Sequence, residues 1–321
     1  MARAGFGRTE FVRPNEDIEN AVSQLYNRIG APAMTDVAIT VDVDGRKVEQ
    51  GPPVNRVYPR EAYDLFAGDQ LVVVGRYSDP GAAKVTITGK VDGAEKSLDF
   101  PAQLTETSAD ETYAFVEKLW AMRRVGEIID DIDLNGKNEE LTNELVALAT
   151  KHGILTPYTS FLADDQPTID PGGRPMPLAF GGRRGEALPQ AAAEADRALN
   201  ALSDAEAGAG RDGVEQRALK GQLREAAQAP APGIARFRRL GAEKEEAVHT
   251  IQQVGAKTFY RRGEQWVDST LTPDQEEKLQ KIERFSKEYF DLAAKLDSAS
   301  LKYLALDGQV VVVLEGQAYA F

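Results

Sequence analysis

The chain begins with a short strand pattern and then a helical one. Residues 9–14 end at Pro14 and predict a strand, and residues 16–29 repeat apolar positions at helical spacing. Asn15 is placed to cap this helix and Gly30 to end it. The apolar face of the predicted helix consists of Ile18, Val22, Leu25 and Ile29.

The period then changes to two, which is typical of strands with one buried face. Apolar residues alternate with polar ones from Val37 to Val43, and Asp44-Gly45 and Asp92-Gly93 are hairpin turn sequences. We therefore predict a small antiparallel β-sandwich over residues 31–106. Its further strands are expected at 46–49, 54–58, 71–77, 84–90 and 95–100.

Helical spacing returns at Ser108, which forms a capping-box pattern with Glu111. Asn135-Gly136 breaks the helix, and a second helix follows, so residues 107–162 predict an antiparallel helix pair. The stretch ILTPYTSFL after Gly153 is expected to be a strand that closes this unit. The predicted helix faces are Phe115, Leu119, Trp120, Met122, Val125 and Ile129 in the first helix, and Leu141, Leu145, Leu148 and His152 in the second.

Residues 163–253 are rich in Pro, Gly, Ala, Arg and Glu and poor in large apolar residues. This composition predicts a largely disordered linker, because little apolar surface is present to stabilise a fold. Two Ala-rich pieces, 189–205 and 213–227, predict at most transient helices.

The last stretch, 254–321, predicts a small α+β domain. It opens with a hairpin whose Tyr260 and Trp266 are expected in the core. A helix is predicted to start at Thr272-Pro273 and to run to Leu296. Strands follow around the turns Asp307-Gly308 and Glu315-Gly316, and the run of four valines at 310–313 predicts a buried central strand. The predicted helix stripe is Leu279, Ile282, Phe285, Tyr289, Leu292 and Leu296.

Composition narrows the functional classes. The 38 basic and 51 acidic residues give a net charge of −13, which disfavours nucleic acid and anionic membrane surfaces. Cysteine is absent, so disulfides and thiolate chemistry are excluded. No apolar run has the roughly 20 residues that a membrane span needs, and no signal peptide is visible in the sequence.

Few residues invite a chemical role. His152 is expected to favour a helix C-terminus electrostatically, and His249 falls in the predicted linker without a nearby nucleophile. The stretch from Asp131 loosely resembles a calcium loop, but Thr142 stands where such a loop needs a bidentate Glu. We assign no catalytic, cofactor-binding or metal-ligating residue and expect no cofactor. The paired arginines are expected on solvated faces: Arg123-Arg124, Arg183-Arg184, Arg238-Arg239 and Arg261-Arg262.

Three blocks of sequence carry a family resemblance. They are TEFVRPNEDIENAVSQLYNRI, NRVYPREAYDLFAGDQLVVVGRY, and the stretch from LWAMRRVGEIIDD to GILTPYTSFL. Over about residues 5–165, the chain resembles the region after the von Willebrand factor type A domain in proteins like the inter-alpha-trypsin inhibitor heavy chains. The resemblance implies that 1–30 are the last strand and helix of that domain, without its DxSxS cation motif. It also implies a β-sandwich whose sheet is shared with a VIT domain, leaving an edge exposed here.

These observations favour a non-enzymatic binding or assembly module of a von Willebrand A-type surface or envelope protein. The resemblance implies protein partners, namely the VIT and von Willebrand A portions and a further ligand, and an extracellular or cell-envelope location. Two alternatives stay open at this stage. One is a hydrolase whose carboxylates converge only in three dimensions, and the other is a carbohydrate-binding sandwich.

Overall fold

The computed structural model describes residues 17–19, 22–23, 26, 32–46, 51–60, 64–66, 69–106, 113–136, 138–156, 159, 195, 211–230, 233–237 and 246–321. Strands and helices both contribute substantially, so the α+β class is confirmed. The chain forms two compact units. The first contains residues 1–124 and 217–228, and the second contains residues 125–216 and 229–321.

The first unit contains two antiparallel sheets. The four-stranded sheet has the order β3-β1-β5-β6, and β2 pairs with β4 in a separate two-stranded sheet. The strands are β1 (Pro32–Val43), β2 (Val54–Tyr58), β3 (Leu65–Phe66), β4 (Val74–Tyr77), β5 (Gly81–Val91) and β6 (Ala94–Leu104).

The Asp92-Gly93 turn is confirmed. It joins β5 to β6 with both residues at positive φ, and the strands pair in register from Val91↔Ala94 to Gly81↔Leu104. The turn at Asp44-Gly45 is present, since the Arg46 amide donates to the Val43 carbonyl over 3.2 Å, and the strand predicted at 46–49 lies outside the described residues beyond Arg46. The Asp44 amide donates to the Ala82 carbonyl, and β1 pairs with β5 and β3.

The helices are α1 (Ala114–Asn135), α2 (Glu139–His152), α3 (Arg211–Glu225), α4 (Pro273–Glu277), α5 (Lys287–Ala293) and α6 (Ser298–Leu304). The predicted break between α1 and α2 is confirmed, with Gly136 at positive φ and Asn138 capping α2. In α1, Ile128 and Ile132 are buried in addition to predicted face residues such as Leu119 and Ile129. Phe115 was predicted on the buried face but is half exposed. The predicted capping box at 108–111 lies outside the described residues.

The second unit is organised around a seven-stranded sheet of order β11-β13-β12-β10-β9-β8-β7. Phe259, Tyr303, Leu306, Val310, Val312 and Leu314 form its buried cluster. The run of four valines is therefore an inner strand, as predicted. The strands are β7 (Gly233–Phe237), β8 (Glu246–Val254), β9 (Lys257–Arg262), β10 (Gln265–Asp268), β11 (Gln280–Lys281), β12 (Gln309–Leu314) and β13 (Gln317–Ala320).

The predicted linker differs from the structure in its last part. Helix α3, strand β7 and all but the last residue of β8 fall within 163–253, and β8 pairs in register with β9. A strand needs only a few apolar residues when a neighbouring strand supplies its hydrogen bonds, and composition alone does not show this. The predicted helix at 189–205 lies outside the described residues except for Ala195, which is helical.

The single helix predicted over 272–296 is wrong. Thr272 does cap a helix, in a capping box with Gln275, but that helix ends at Glu277. Phe285 then adopts a φ of +65°, and Ser286 caps a new helix through the Tyr289 amide. A helix cannot continue through a left-handed residue, so the apolar period at 279–296 reflects separate short elements. Residues 301–306, which precede the Asp307-Gly308 turn and were predicted as a strand, belong largely to α6.

The closing strand predicted after Gly153 is also wrong for the residues described. Ile154–Thr156 and Thr159 belong to no strand. The Thr156 amide and hydroxyl bond the Thr159 hydroxyl, and the Thr159 amide donates to the Thr156 carbonyl, which forms a tight turn. Threonine hydroxyls compete with strand pairing by bonding the local backbone in this way.

Helix α2 packs against the C-terminal sheet. The Tyr260 hydroxyl donates to the Thr150 carbonyl over 2.7 Å, and the Ser269 hydroxyl donates to the Lys151 carbonyl over 3.0 Å. Gly153 follows at a φ of +60° and lies against Thr258 of β9. A side chain of β9 and one from the turn after β10 therefore bond carbonyls in the last turn of α2.

Candidate interaction surfaces

The four-stranded sheet of the first unit presents an apolar face. Strand alternation puts every second side chain of β1, β5 and β6 on one side. The register then aligns two cross-strand rows, one of Ile39, Ile87 and Leu98 and one of Val41, Val85 and Phe100. We call these six residues the sheet face.

This sheet face is only partly covered. Leu98 and Phe100 are 49% and 47% exposed, and the four inner residues are half-buried. Val43 and Ala83, at one end of the same side, are buried. The opposite side of the sheet is polar, with the Thr86 hydroxyl donating to the Asp99 carboxylate over 2.8 Å. The face that a closed sandwich would cover is thus open at its centre, and a complete sandwich stays a prediction.

The edge beside the sheet face is poorly suited to pairing with another strand. β6 forms one edge of the sheet, and Pro101 lies in it opposite Lys84. Proline has no amide hydrogen to donate, so it interrupts a ladder that a further strand would form. A further strand on β6 would therefore lack one hydrogen bond of its ladder at Pro101, and the expectation of a partner-covered edge stays a prediction.

Trp120 and Arg123, in the N-terminal half of α1, bond backbone carbonyls of the first unit. The Trp120 indole donates to the Arg56 carbonyl over 3.0 Å. The Arg123 guanidinium donates to three carbonyls, those of Tyr58, Val72 and Ala226. Arg123 and Arg124 are 3% and 8% exposed, so their predicted solvated positions are wrong. The cost of burying the Arg123 charge is offset because backbone oxygens accept from its donors.

The second unit carries an exposed cluster of aromatic rings at the start of α5. Tyr289 is buried and its ring centroid lies 5.7 Å from that of Phe285, 5.5 Å from Phe290 and 5.6 Å from Phe321. Phe285 and Phe290 are 73% and 56% exposed. We call Phe285, Tyr289, Phe290 and Phe321 the aromatic surface. Sequence reasoning assigned Phe285 and Tyr289 to a buried stripe, and the Ser286 cap was the signal that could have separated them.

A buried ion pair lies on the same sheet. Lys257 donates to Asp268 over 2.6 Å, and the Asp268 carboxylate also accepts from the Val313 amide and from the Thr270 amide and hydroxyl. The Lys257 ammonium lies 5.9 Å from the centre of the Tyr303 ring. One carboxylate oxygen of Asp268 therefore links β10 to β9 and β12, and the other accepts from the turn after β10.

The other residues considered from sequence are dispersed. His152 is buried at the end of α2, and His249 is exposed on β8 rather than in a linker. Asp131, Asp133 and Asn135 belong to the helix α1, not to a loop. Trp266 and Tyr260 pack in or against the core, as predicted. Arg183-Arg184 and Arg238-Arg239 lie outside the described residues.

Burial lowers the proton affinities of Lys118 and Arg262. Burial lowers the pKa of Lys118 on α1 to about 8. Burial also lowers the pKa of Arg262, and the nearby Glu276, 3.5 Å away, partly opposes that shift. Neither residue lies beside a group of metal-ligating side chains, because no cluster of three or more His, Asp or Glu occurs among the residues that the structure describes. No described helix has the length and apolar character to cross a membrane.

Comparison with known proteins gives one informative likeness. A von Willebrand factor A domain-containing protein of Dictyostelium discoideum is 24% identical over 177 residues. The match takes in 52% of this chain but only 8% of that protein. The likeness is therefore to a short part of a much longer protein. No family model matches the chain, and no solved structure matches it.

Proposed function

We propose that this chain is a non-enzymatic protein-interaction module of a von Willebrand A-type protein. The observation that carries the proposal is the sheet face, where Leu98 and Phe100 stay half exposed beside half-buried branched residues. Contiguous exposed apolar side chains favour a protein partner, because burying them releases water. The likeness to a von Willebrand factor A domain-containing protein supports the same class of function.

The partner we propose for this face is the VIT and von Willebrand A portion of such a protein. The sequence blocks that resemble inter-alpha-trypsin inhibitor heavy chains are the support for this choice. The interruption of the β6 edge at Pro101 further favours contact through the face, so Leu98 and Phe100 would be the central anchors. A surface or cell-envelope location follows from the same resemblance and belongs to this proposal.

The test is a binding measurement with matched phenylalanine variants. The chain is mixed with a polypeptide carrying the VIT and von Willebrand A domains from the same organism, and complex formation is followed by analytical ultracentrifugation. Phe100→Ser should weaken the complex by about tenfold or more. Phe115→Ser is the control, since Phe115 is 49% exposed on α1 rather than on the sheet. Absence of a complex, or equal affinity of the two variants, contradicts the proposal.

A further inference from the structure

The first unit has a second exposed apolar surface besides the sheet face. Ile18, Val22 and Tyr26 are helical and follow one another at intervals of four residues, which places them on one side of a helix. Their exposed fractions are 66%, 56% and 78%. We call these three residues the helix stripe. It belongs to the same unit as the sheet face, and its exposure shows that the two surfaces do not cover each other in the structure.

A helix at this position needs a packing partner. The sequence predicts it over residues 16–29, close to the length of about 12–15 residues below which an isolated helix is marginal in water. Helices in proteins are stabilised mainly by burying an apolar stripe against another element. Burial of the helix stripe would therefore stabilise the segment, and the sheet face is an exposed apolar surface of the same unit.

The helix stripe and the sheet face have matching repeats. Residues four apart in a helix lie about 6 Å apart along its axis, and alternate residues of a strand lie about 6.6 Å apart. Val22 and Ile18 are thus spaced like the two cross-strand rows of the sheet face, which begin at Ile39 and Val41 on β1. One helix lying along β1 can place a side chain on each row.

The connection to β1 is long enough for this contact and short enough to favour it. Six peptide steps join Tyr26 to Pro32, where β1 begins, and they span at most about 20 Å. Ile39 lies about 23 Å along β1 from Pro32, and Val22 lies one helical turn beyond Tyr26, so Val22 can reach it. Such a short tether gives an effective concentration in the millimolar range, which favours contact within one chain over contact between copies.

We propose that the helix stripe docks on the sheet face of its own chain and closes that face to other proteins. Val22 packs on the row of Ile39, Ile87 and Leu98, and Ile18 packs on the neighbouring row. The structure shows the open arrangement, and apolar burial drives the closed one. This inference rests on the proposed function, since it makes residues 17–26 a competitor of the proposed partner for the same surface.

Disulfide trapping tests the docking, because the chain has no native cysteine. Val22→Cys is combined with Ile87→Cys, and Ile18→Cys with Val85→Cys, so that each pair joins the helix stripe to one row of the sheet face. Val22→Cys with Thr88→Cys is the control, since Thr88 follows Ile87 on β5 and alternation puts its side chain on the polar side of the sheet.

Oxidised glutathione is added to the full chain, and the products are separated by non-reducing electrophoresis and mapped by mass spectrometry. Both test pairs should form an intramolecular disulfide at least about tenfold faster than the control pair. Equal rates in test and control pairs, or disulfides that form only between copies, overturn the proposal.

A second measurement separates this inference from the proposed function. The oxidised Val22→Cys/Ile87→Cys chain is mixed with the VIT and von Willebrand A polypeptide, and the mixture is compared with the same chain after reduction. The reduced chain should bind at least about tenfold more tightly, because its sheet face can open. Equal affinity of the two forms overturns the closure. If the disulfide forms as expected but the reduced chain gives no complex, the docking stands and the proposed function fails.

Discussion

The guanidinium of Arg123 donates twice to the carbonyl of Ala226, 103 residues later in the chain, over 3.0 and 2.7 Å. Ala226 directly follows the last residue of α3, so its carbonyl is one of those that a helix end leaves without an internal partner. A side chain of α1 thereby fixes the end of a helix in which, among the described side chains of residues 217–225, only Ala218 and Leu223 are buried. The same side chain also holds Tyr58 and Val72.

Replacing Arg123 should be strongly destabilising. Arg123→Met leaves buried carbonyls of Tyr58, Val72 and Ala226 without their donor, and we expect a loss of about 3–5 kcal/mol in the free energy of unfolding. Arg123→Lys keeps the charge but not the planar set of donors, so it should recover only part of the loss. Urea denaturation measures both. Arg261→Met, at an exposed arginine, is the control and should change little; a similar loss there would contradict the argument.

Gly153 is expected to resist substitution for two separable reasons. Its φ is +60°, and an added Cβ would lie 2.9 Å from Thr258 Cγ2. Gly153→Ala should cost about 1 kcal/mol for the backbone and a further 1–3 kcal/mol for the contact. Gly136→Ala shares the positive φ but has nothing within 4 Å, so it should show the backbone cost alone.

A double variant isolates the contact at Gly153. Thr258→Ser removes the Cγ2 methyl that the new Cβ would meet, so Gly153→Ala should be less destabilising in that background. Equal costs in the two backgrounds, measured by chemical denaturation, would show that the close approach of α2 to β9 is not the cause.

The lowered pKa of Lys118 predicts a pH-dependent stability. Between about pH 8 and its ordinary pKa of 10.5, the unfolded chain holds the proton more tightly than the folded chain. The free energy of unfolding should therefore rise with pH across this window, by at most about 3 kcal/mol, and the burial penalty should be constant below it. Tyr260 acts oppositely, since burial raises its pKa and its contribution is lost above pH 10.

The contribution of Lys118 to the pH dependence of stability is obtained by comparing the native chain with a variant that lacks the titrating group. Stability is measured from pH 7 to pH 9.5 for the native chain and for Lys118→Met, in which the apolar stem remains but the titrating group is absent. With increasing pH, the free energy of unfolding of the native chain should rise relative to that of the variant. Parallel curves would mean that Lys118 keeps its ordinary proton affinity in the folded state.

The two members of the Lys257–Asp268 ion pair should contribute unequally to the stability of the fold. Asp268→Ala leaves the Val313 amide without its acceptor and the Lys257 ammonium with only the Thr270 hydroxyl, and about 3–5 kcal/mol of stability should be lost. Lys257→Met leaves Asp268 bonded by Thr270 and Val313, so its cost should be clearly smaller. Thermal unfolding of the two variants measures the difference, and equal costs would refute the asymmetry.

Pro101 is expected to limit self-association. Pro101→Val supplies an amide hydrogen at a long edge strand and removes an interruption of further pairing. The variant should associate more strongly with itself than the native chain in sedimentation velocity. Ala102→Val, the next position on β6, adds a similar side chain without a new donor and should leave the association state unchanged.

Local chemistry in the sequence predicted much of this fold. Asp92-Gly93, Asn135-Gly136, Thr272-Pro273 and Glu315-Gly316 each mark a turn or helix end whose backbone demands those residues, and the structure has all four. The remaining elements depend on tertiary contacts, which the local sequence does not show. The apolar period through Phe285 suggested one helix, because side-chain spacing alone does not reveal a left-handed residue between two caps.

The candidate surfaces could be predicted less well from the sequence, because their exposure also depends on tertiary packing. The alternation that contains Leu98 and Phe100 is visible in sequence, but whether another layer covers them depends on the packing of distant elements. Arg123 looked like a surface charge because its acceptors are backbone carbonyls at 58, 72 and 226, which no sequence motif marks. β8 was missed because β9 and β7 supply its pairing.

The division of the chain into interleaved segments constrains how the protein is made. Residues 217–228 complete a unit whose other part ends at residue 124. On the ribosome, the carbonyl of Ala226 emerges only after more than ninety intervening residues, so Arg123 can bond the Tyr58 and Val72 carbonyls before its contact with Ala226 forms. No single proteolytic cut or truncation separates the two units intact, and expression of either half alone should yield an aggregation-prone product.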